Sequence, residues 1–213
     1  MGRVALDTQL LATYVSGMTK PRRSSRVVAP WLIVAGGLLM ASLWLVYTGV
    51  HGPTSYQEDR LVLGRGPHFW GMLLGVVPNS LIAGGLIALR GLLIPNQLAA
   101  IGHGLTCGAL LVPAVLDLAV QAINAPFFLP VQAVGVLMLA AGLGRLPTCR
   151  GLRICLAVLG GLLGTAMLVA FLPRGFSDSI GGFRIFGVLA YFLSGLAWSG
   201  VGVSVARGTL QTR

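Results

Sequence analysis

Six apolar stretches of membrane-spanning length alternate with short polar segments along this chain of 213 residues. A bilayer core about 30 Å thick requires roughly 20 apolar residues in a helix, and each stretch comes close to that length. The pattern therefore predicts an all-α fold, a polytopic bundle of six transmembrane helices. These predicted helices, one to six in chain order, cover residues 28–50, 69–89, 98–120, 127–144, 152–172 and 185–206.

The composition explains why lipid is the expected solvent. Hydrophobic residues make up 55% of the chain and charged residues 9%, and the mean hydropathy is +0.86. This proportion of charged side chains is too small to cover the surface of a water-soluble globular protein. Membrane lipids are therefore the first expected partner of this protein.

The uneven distribution of basic residues predicts the orientation. Arginine and lysine in short loops resist translocation and stay on the cytoplasmic side. With the N-terminus inside, eleven of the 15 basic residues fall on the cytoplasmic side and four outside. The predicted layout is a cytoplasmic N-terminal segment (1–27), a six-helix membrane domain (28–206) and a cytoplasmic tail (207–213), so both termini are cytoplasmic.

The N-terminal segment has a periodic pattern of its own. Leu6, Leu10, Tyr14 and Met18 recur every four residues, which predicts a short amphipathic helix on the inner membrane surface. A disordered tail is the alternative interpretation. No order of basic, apolar and small residues typical of a cleaved signal peptide is present, so we expect the segment to stay in the mature chain.

The formal net charge of +10 does not indicate a nucleic-acid partner. The basic residues are scattered singly between apolar runs and form no stripe with interleaved aromatic residues. Lys20 is the only lysine, which favours a GC-rich bacterial genome, such as that of an actinobacterium. The expected location is thus a bacterial inner membrane.

Helix three carries the densest set of polar residues within a span. His103, Asp117 and Asn124 share one heptad position, and Gln121 lies one turn beyond Asp117, so the four form a stripe on one face. A charged carboxylate at the bilayer centre costs roughly 2.5 to 3.5 kcal/mol on insertion scales, so Asp117 must be paired, wetted or protonated. One interpretation is a substrate, ion or proton site; the other is a buried ion pair, for example with Arg184, that fixes helix packing.

Helix two adds a second polar face. His68, Gly75 and Asn79 share one side, and Pro78 frees a backbone carbonyl one turn earlier. Transporters build midplane sites from interrupted helices of this kind, although a proline kink that only shapes the helix is the alternative. The candidate ligand or ion-pair residues of the whole chain are His68, Asn79, His103, Asp117, Gln121 and Arg184.

Small and aromatic residues suggest how the helices pack. Pairs of glycines four residues apart allow helix backbones to approach closely. The predicted interface residues are Gly71, Gly75, Gly104, Gly108, Gly160 and Gly164. Aromatic residues such as Trp44 cluster near the outer interface, while Tyr191 and Trp198 lie within helix six, where packing of large rings is the favoured interpretation.

Known catalytic and cofactor motifs are missing from the sequence. It contains no zinc-protease motif, no phosphate-binding glycine-rich loop and no CxxC pair, and its only lysine precedes helix one, which excludes a retinal Schiff base. Haem ligation by His51 and His68 is an open but disfavoured alternative. We therefore predict no catalytic residues, no metal and no cofactor.

The sequence leaves several functions open. The favoured hypothesis is a non-catalytic accessory or scaffolding subunit of a larger inner-membrane complex, for instance one that transports lipids, because the loops are short and small residues are abundant. The alternative is a small transporter or lipid-binding protein with a polar site between helices two and three. A membrane-embedded enzyme ranks third.

Overall fold

The computed structural model describes residues 23–51, 61–120, 125–144, 150–171 and 180–211, and it is almost entirely helical within them. The only strand-like feature there is an isolated bridge between Val62 and Arg65. The predicted amphipathic N-terminal segment, the last two residues of the tail, Gln121 and Asn124 lie outside the described residues.

Six long helical segments correspond to the six predicted ones. A single helical turn, Arg90–Leu93, follows the second of them. We number the long segments α1 (Arg23–His51), α2 (Pro67–Ala88), α3 (Gln97–Val120), α4 (Ala125–Gly142), α5 (Arg150–Ala170) and α6, which joins Ile180–Gly187, a π-helical turn Val188–Leu193, and Ser194–Gln211.

Five of these helices are long and apolar enough to cross a membrane, judged by length and composition. α4 is the exception, because its apolar part, Phe127–Gly142, is shorter than the other five. The class of fold is therefore an all-helical bundle with five candidate membrane spans among the described residues. The predicted sixth span and the predicted orientation are not confirmed by this observation.

The helices pack in the order in which they occur along the chain. Each of α1 to α5 has major contacts with the next helix, and α6 returns to pack against α1, which closes the ring. Large aliphatic side chains fill the interior. Those that are completely buried include Ile33, Leu74, Ile82, Leu86, Leu110, Leu139, Leu156, Leu159 and Leu163, together with Trp198.

Adjacent glycines let α1 approach both of its neighbours. A Cβ added to Gly36 would lie 2.9 Å from the Pro78 carbonyl oxygen of α2. Gly37 faces α6 instead, where a Cβ on Gly195 would lie 2.6 Å from the Gly37 carbonyl oxygen. Such close backbone approach is how helices gain van der Waals energy in lipid, where no hydrophobic force drives them together.

A second glycine seam joins α3 to α4. A Cβ on Gly135 would lie 2.8 Å from the Thr106 backbone nitrogen, and one on Gly142 would lie 2.6 Å from that of Ala99. The pairing runs in opposite directions along the two helices, so α4 lies antiparallel beside α3. The Asn96 side-chain amide strengthens the seam by donating a hydrogen bond of 2.7 Å to the Gly142 carbonyl oxygen.

Two prolines lie deeper in their helices than the hydropathy pattern suggested. The predicted spans 28–50 and 127–144 put Pro30 and Pro130 close to helix starts, where a missing N–H costs nothing. Both are inside helices, because α1 already begins at Arg23 and α4 at Ala125. Both helices therefore start before their apolar stretches, and α1 includes the polar residues 23–26, which hydropathy does not identify as helical. Pro67, which precedes the predicted second span, occupies the first turn of α2.

Candidate functional site

Asp117 occupies the most unusual environment among the described polar residues. Its side chain is completely buried near the end of α3. The carboxylate lies directly against Gly75 of α2, and an added Cβ at that glycine would overlap the Oδ2 atom. Gly75 lies about 12 Å along α2 from its first residue, since each helical residue rises 1.5 Å. The carboxylate is thus inside the bundle, and the missing side chain of Gly75 makes room for it.

Tyr191 of α6 contributes the other polar group of this region. It is close enough to Asp117 and to Tyr47 of α1 for electrostatic interaction. Its hydroxyl is buried and has no hydrogen-bond partner within the described part of the chain. A buried hydroxyl usually finds a partner, because leaving it unsatisfied costs roughly 1 to 3 kcal/mol. Electrostatic interactions thus link Tyr191 of α6 with Tyr47 of α1 and with Asp117 at the contact between α2 and α3.

The π-helical turn Val188–Leu193 presents Tyr191 to this point. One extra residue in a turn widens the helix, and single turns of this kind are frequent at functional sites. The Ser194 hydroxyl donates a hydrogen bond of 2.6 Å to the Leu189 carbonyl oxygen, so this carbonyl group of the widened turn has a hydrogen-bond partner. The irregular backbone is thus supported by a specific side chain.

Tyr191, which is within electrostatic range of the Asp117 carboxylate, belongs to an aromatic cluster that we define as Trp44, Tyr47, Phe186 and Tyr191. Trp44 stacks on Tyr191 with ring centroids 5.3 Å apart and planes inclined by 13°. Tyr47 packs on Trp44 at 5.7 Å, and Phe186 meets Tyr191 edge-on at 6.3 Å. Gly187 leaves space for the Trp44 ring, which occupies the position of a Cβ there.

Asn79 is buried on α2, one helical turn beyond Gly75. Pro78 lies beside it and Pro113 lies one turn before Asp117, so both helices contain a proline close to the carboxylate. Each proline removes one intrahelical hydrogen bond and so weakens the helix locally. The three helices α2, α3 and α6 are thus all irregular at the level of Asp117.

His103 lies at the other end of the α2–α3 contact. Its Nε2 atom is 3.0 Å from the Leu86 carbonyl oxygen in the last turn of α2. A carbonyl oxygen only accepts, so Nε2 carries the proton of this hydrogen bond, and Nδ1 lies 3.9 Å from the Cys107 sulfur. His103 therefore satisfies a carbonyl at a helix end, a contact that supports packing rather than ligand binding.

The remaining predicted ligand residues are dispersed. His68 and Arg184 are exposed, whereas Asp117, Asn79 and His103 are buried. The structure therefore places Asp117 and Asn79 in neighbouring turns of one region, and His103 farther along the same helix pair. Gln121 lies outside the described residues.

The predicted interface glycines divide into two groups. Gly75 faces Asp117, a Cβ on Gly160 would lie 2.6 Å from the Leu137 side chain, and Gly71 is buried. Gly104, Gly108 and Gly164 have nothing within 4 Å of such an atom. The first group lies inside the bundle, and the second is open to whatever surrounds it.

Sequence reasoning treated Tyr191 as a packing residue and did not connect it with Asp117. The sequence feature that could have identified Tyr191 is the presence of a tyrosine and an acid in two different apolar spans. This feature is informative only when the two spans are known to lie side by side. Gln132 of α4 is a further buried polar residue that sequence reasoning did not single out. Its single amide in an otherwise apolar stretch was the available signal.

The described residues contain no group of three or more His, Cys, Asp or Glu side chains suited to a metal ion. No family model, no curated protein and no solved structure matches the chain. The class of protein is therefore assigned from the fold and the site alone. It is a multi-pass helical membrane protein with a carboxyl group enclosed in its bundle.

Proposed function

We propose that this chain is a small transporter in which Asp117 exchanges a proton as part of the transport cycle. The observation that carries the proposal is the complete burial of this carboxylate against Gly75 of α2, within electrostatic range of Tyr191 in the π-helical turn of α6. An acid within a membrane bundle is costly to retain and is by default a functional residue. A protonated carboxyl group is far cheaper to bury than a charged one, so proton exchange is the natural chemistry of this site.

Local irregularity in the surrounding helices supports a transport role. Pro78 and Pro113 interrupt the hydrogen bonding of α2 and α3, and α6 contains the π-helical turn. Transporters place their sites at such discontinuities, because a broken helix bends there and its loosened backbone groups line the cavity. A conformational change that exposes Asp117 alternately to the two sides requires bending of this kind.

A pH jump tests the proposal without knowledge of the substrate. Proteoliposomes adsorbed on a solid-supported membrane should give a transient current when the external pH changes, because protons enter or leave the bundle. Asp117→Asn should abolish the current, whereas the control Ser199→Ala, a buried residue of the α1–α6 contact, should retain it. An equal current in Asp117→Asn would contradict the proposal.

We also propose that the bundle crosses a bacterial inner membrane six times with both termini in the cytoplasm. Antiparallel packing of α4 beside α3 supports the sixth span, since α3 is itself a candidate span. The 18 residues of α4 extend about 27 Å, close to the thickness of the hydrocarbon core. The excess of basic residues on one side supports the orientation.

A second candidate function is an accessory subunit of a larger membrane complex. Gly104 and Gly108 on α3 and Gly164 on α5 favour it, because they leave the helix backbone open to a partner helix. The complex should then survive purification at native expression levels in mild detergent, and Gly104→Leu should release the partner. A chain that purifies alone as a single species would contradict this function.

A further inference from the structure

The aromatic cluster is the feature of the site that proton exchange alone does not explain. A proton requires only a carboxylate and a path, yet Tyr191, which lies within electrostatic range of Asp117, is stacked on Trp44 and has Phe186 at its edge, with Tyr47 packed on Trp44. The faces of aromatic rings carry negative charge density and attract cations, most strongly those that are weakly hydrated. The carboxylate and the rings therefore select the same sign of charge.

We infer that the substrate of this site is a hydrophobic organic cation, such as a quaternary ammonium compound or a protonated aromatic amine. The inference rests on the proposed function and names its substrate class. The rings supply apolar and cation–π contacts to the body of the substrate, and Asp117 balances its charge. An anionic substrate would meet repulsion from both components.

A metal ion fits the described residues less well than an organic cation. Ca²⁺ and Mg²⁺ take six or more oxygen ligands, and Zn²⁺ takes four nitrogen, sulfur or oxygen ligands. The part of the chain that the structure describes offers no group of three acidic, histidine or cysteine side chains. A single carboxylate beside aromatic rings instead matches a large cation with one delocalised charge.

The π-helical turn provides a way to open the stack. Moving the extra residue of the turn along α6 rotates the intervening side chains by about 100°, the angle between successive residues of a helix. Tyr191 lies within this turn, so the shift separates its ring from that of Trp44. The substrate takes the vacated place between the rings, and the Tyr191 hydroxyl gains a polar environment.

Charge balance couples the substrate to the proton. In the closed bundle the carboxyl group of Asp117 holds a proton. Binding of a monovalent cation displaces that proton, so the buried site contains a carboxylate and one cation in place of a neutral acid. One proton therefore leaves as one substrate cation enters, and the two are exchanged across the membrane.

Tetraphenylphosphonium, a hydrophobic cation that cannot be deprotonated, is a suitable probe. The purified full chain in detergent should bind it saturably in isothermal titration calorimetry and release close to one proton per cation in weakly buffered solution. Asp117→Asn should weaken binding at least tenfold and abolish proton release. Trp44→Leu should weaken binding several-fold, whereas Trp31→Phe, at a tryptophan that is 55% exposed on the same helix, should bind like the wild type.

Asp117→Glu guards against a folding defect in the asparagine variant, because it keeps an ionisable carboxyl group and should keep proton release with altered affinity. Wild-type protein that does not bind the probe, together with a pH-jump current that depends on Asp117, would overturn the substrate class and leave the proton site intact. Loss of both signals in the wild type would overturn both. Unchanged binding in Asp117→Asn or in Trp44→Leu would place the cation elsewhere and contradict the inference.

Discussion

At the scale of single residues, the space beside Gly75 decides whether the Asp117 carboxylate fits into the bundle. A glycine in the middle of a helix is normally a disadvantage, because it costs roughly 1 kcal/mol relative to alanine. Here its lack of a side chain is used, since the carboxylate occupies the position that a Cβ would take. The two residues therefore form one structural unit across the contact between α2 and α3.

Gly75→Ala should destabilise the protein by about 1 to 3 kcal/mol, the usual cost of overpacking a filled interior. Gly84→Ala is the matched control on the same helix, because nothing lies within 4 Å of a Cβ there. The control should be neutral or slightly stabilising, since alanine favours helix formation. Denaturation of both variants by SDS in mixed micelles measures the difference, and equal stability of the two would contradict the assigned role of Gly75.

His103 provides a second prediction at this scale. Because its Nε2–H donates to the Leu86 carbonyl oxygen, His103→Phe should lower stability by about 1 kcal/mol, a typical value for a hydrogen bond between membrane helices. The exposed His68 is the control, and His68→Phe should leave the stability unchanged. If His103→Phe has no effect on stability but changes cation binding, the packing role assigned to His103 is wrong.

At the scale of helices, the glycine seams determine which elements are neighbours. α1 is the clearest case, since Gly36 faces α2 and Gly37 faces α6. Two consecutive residues of a helix point about 100° apart, so this pair lets one helix pack tightly on two sides. Close packing on both sides holds α1, and with it Trp44, in a defined position relative to α6.

Gly195→Leu should disrupt the contact between α1 and α6 and lower the unfolding free energy by about 1 to 3 kcal/mol. Gly164→Leu on α5 is the matched control, because that glycine is open on its outer side. The midpoint of thermal aggregation in detergent compares the variants. An equal fall of the midpoint in Gly164→Leu and Gly195→Leu would contradict a specific role of Gly195 in the contact between α1 and α6.

At the scale of the whole molecule, the number of spans determines where the two ends of the chain lie. An even number places them on the same side of the membrane, and an odd number places them on opposite sides. α4 is therefore decisive, because among the described helices it is the one long helix whose apolar part falls short of the candidate spans. Its close contact with α3 argues that it lies at the same depth.

Reporter fusions at both termini should give cytoplasmic activity, and so should a fusion near Arg150 between α4 and α5. A fusion near Arg65 before α2 should give periplasmic activity, which controls for export. Termini on opposite sides, or export of the segment around Arg150, would contradict the six-span proposal. Phosphatase and fluorescent-protein fusions measured in parallel provide the two complementary readouts.

Most helix positions were accessible from the pattern of apolar residues, whereas the site was accessible only in part. Asp117 and Asn79 could be predicted as a pair, because both are polar residues in apolar spans close in sequence. Tyr191 could not be added, since 73 residues separate it from Asp117 along the chain and nothing local shows which spans meet. The prediction that His68 and Arg184 lie near Asp117 also depends on which spans are neighbours, and the sequence does not show this. Both residues are exposed in the structure.

Helical class, approximate helix limits and the cost of a buried acid follow from hydropathy and composition, because lipid requires every backbone group to be satisfied within the helix itself. The order of helices around the ring, the π-helical turn and the meeting of Asp117 with Gly75 and the aromatic cluster required the folded chain. These features depend on which glycine faces which neighbour, and that rotation arises from side-chain packing between helices distant in sequence.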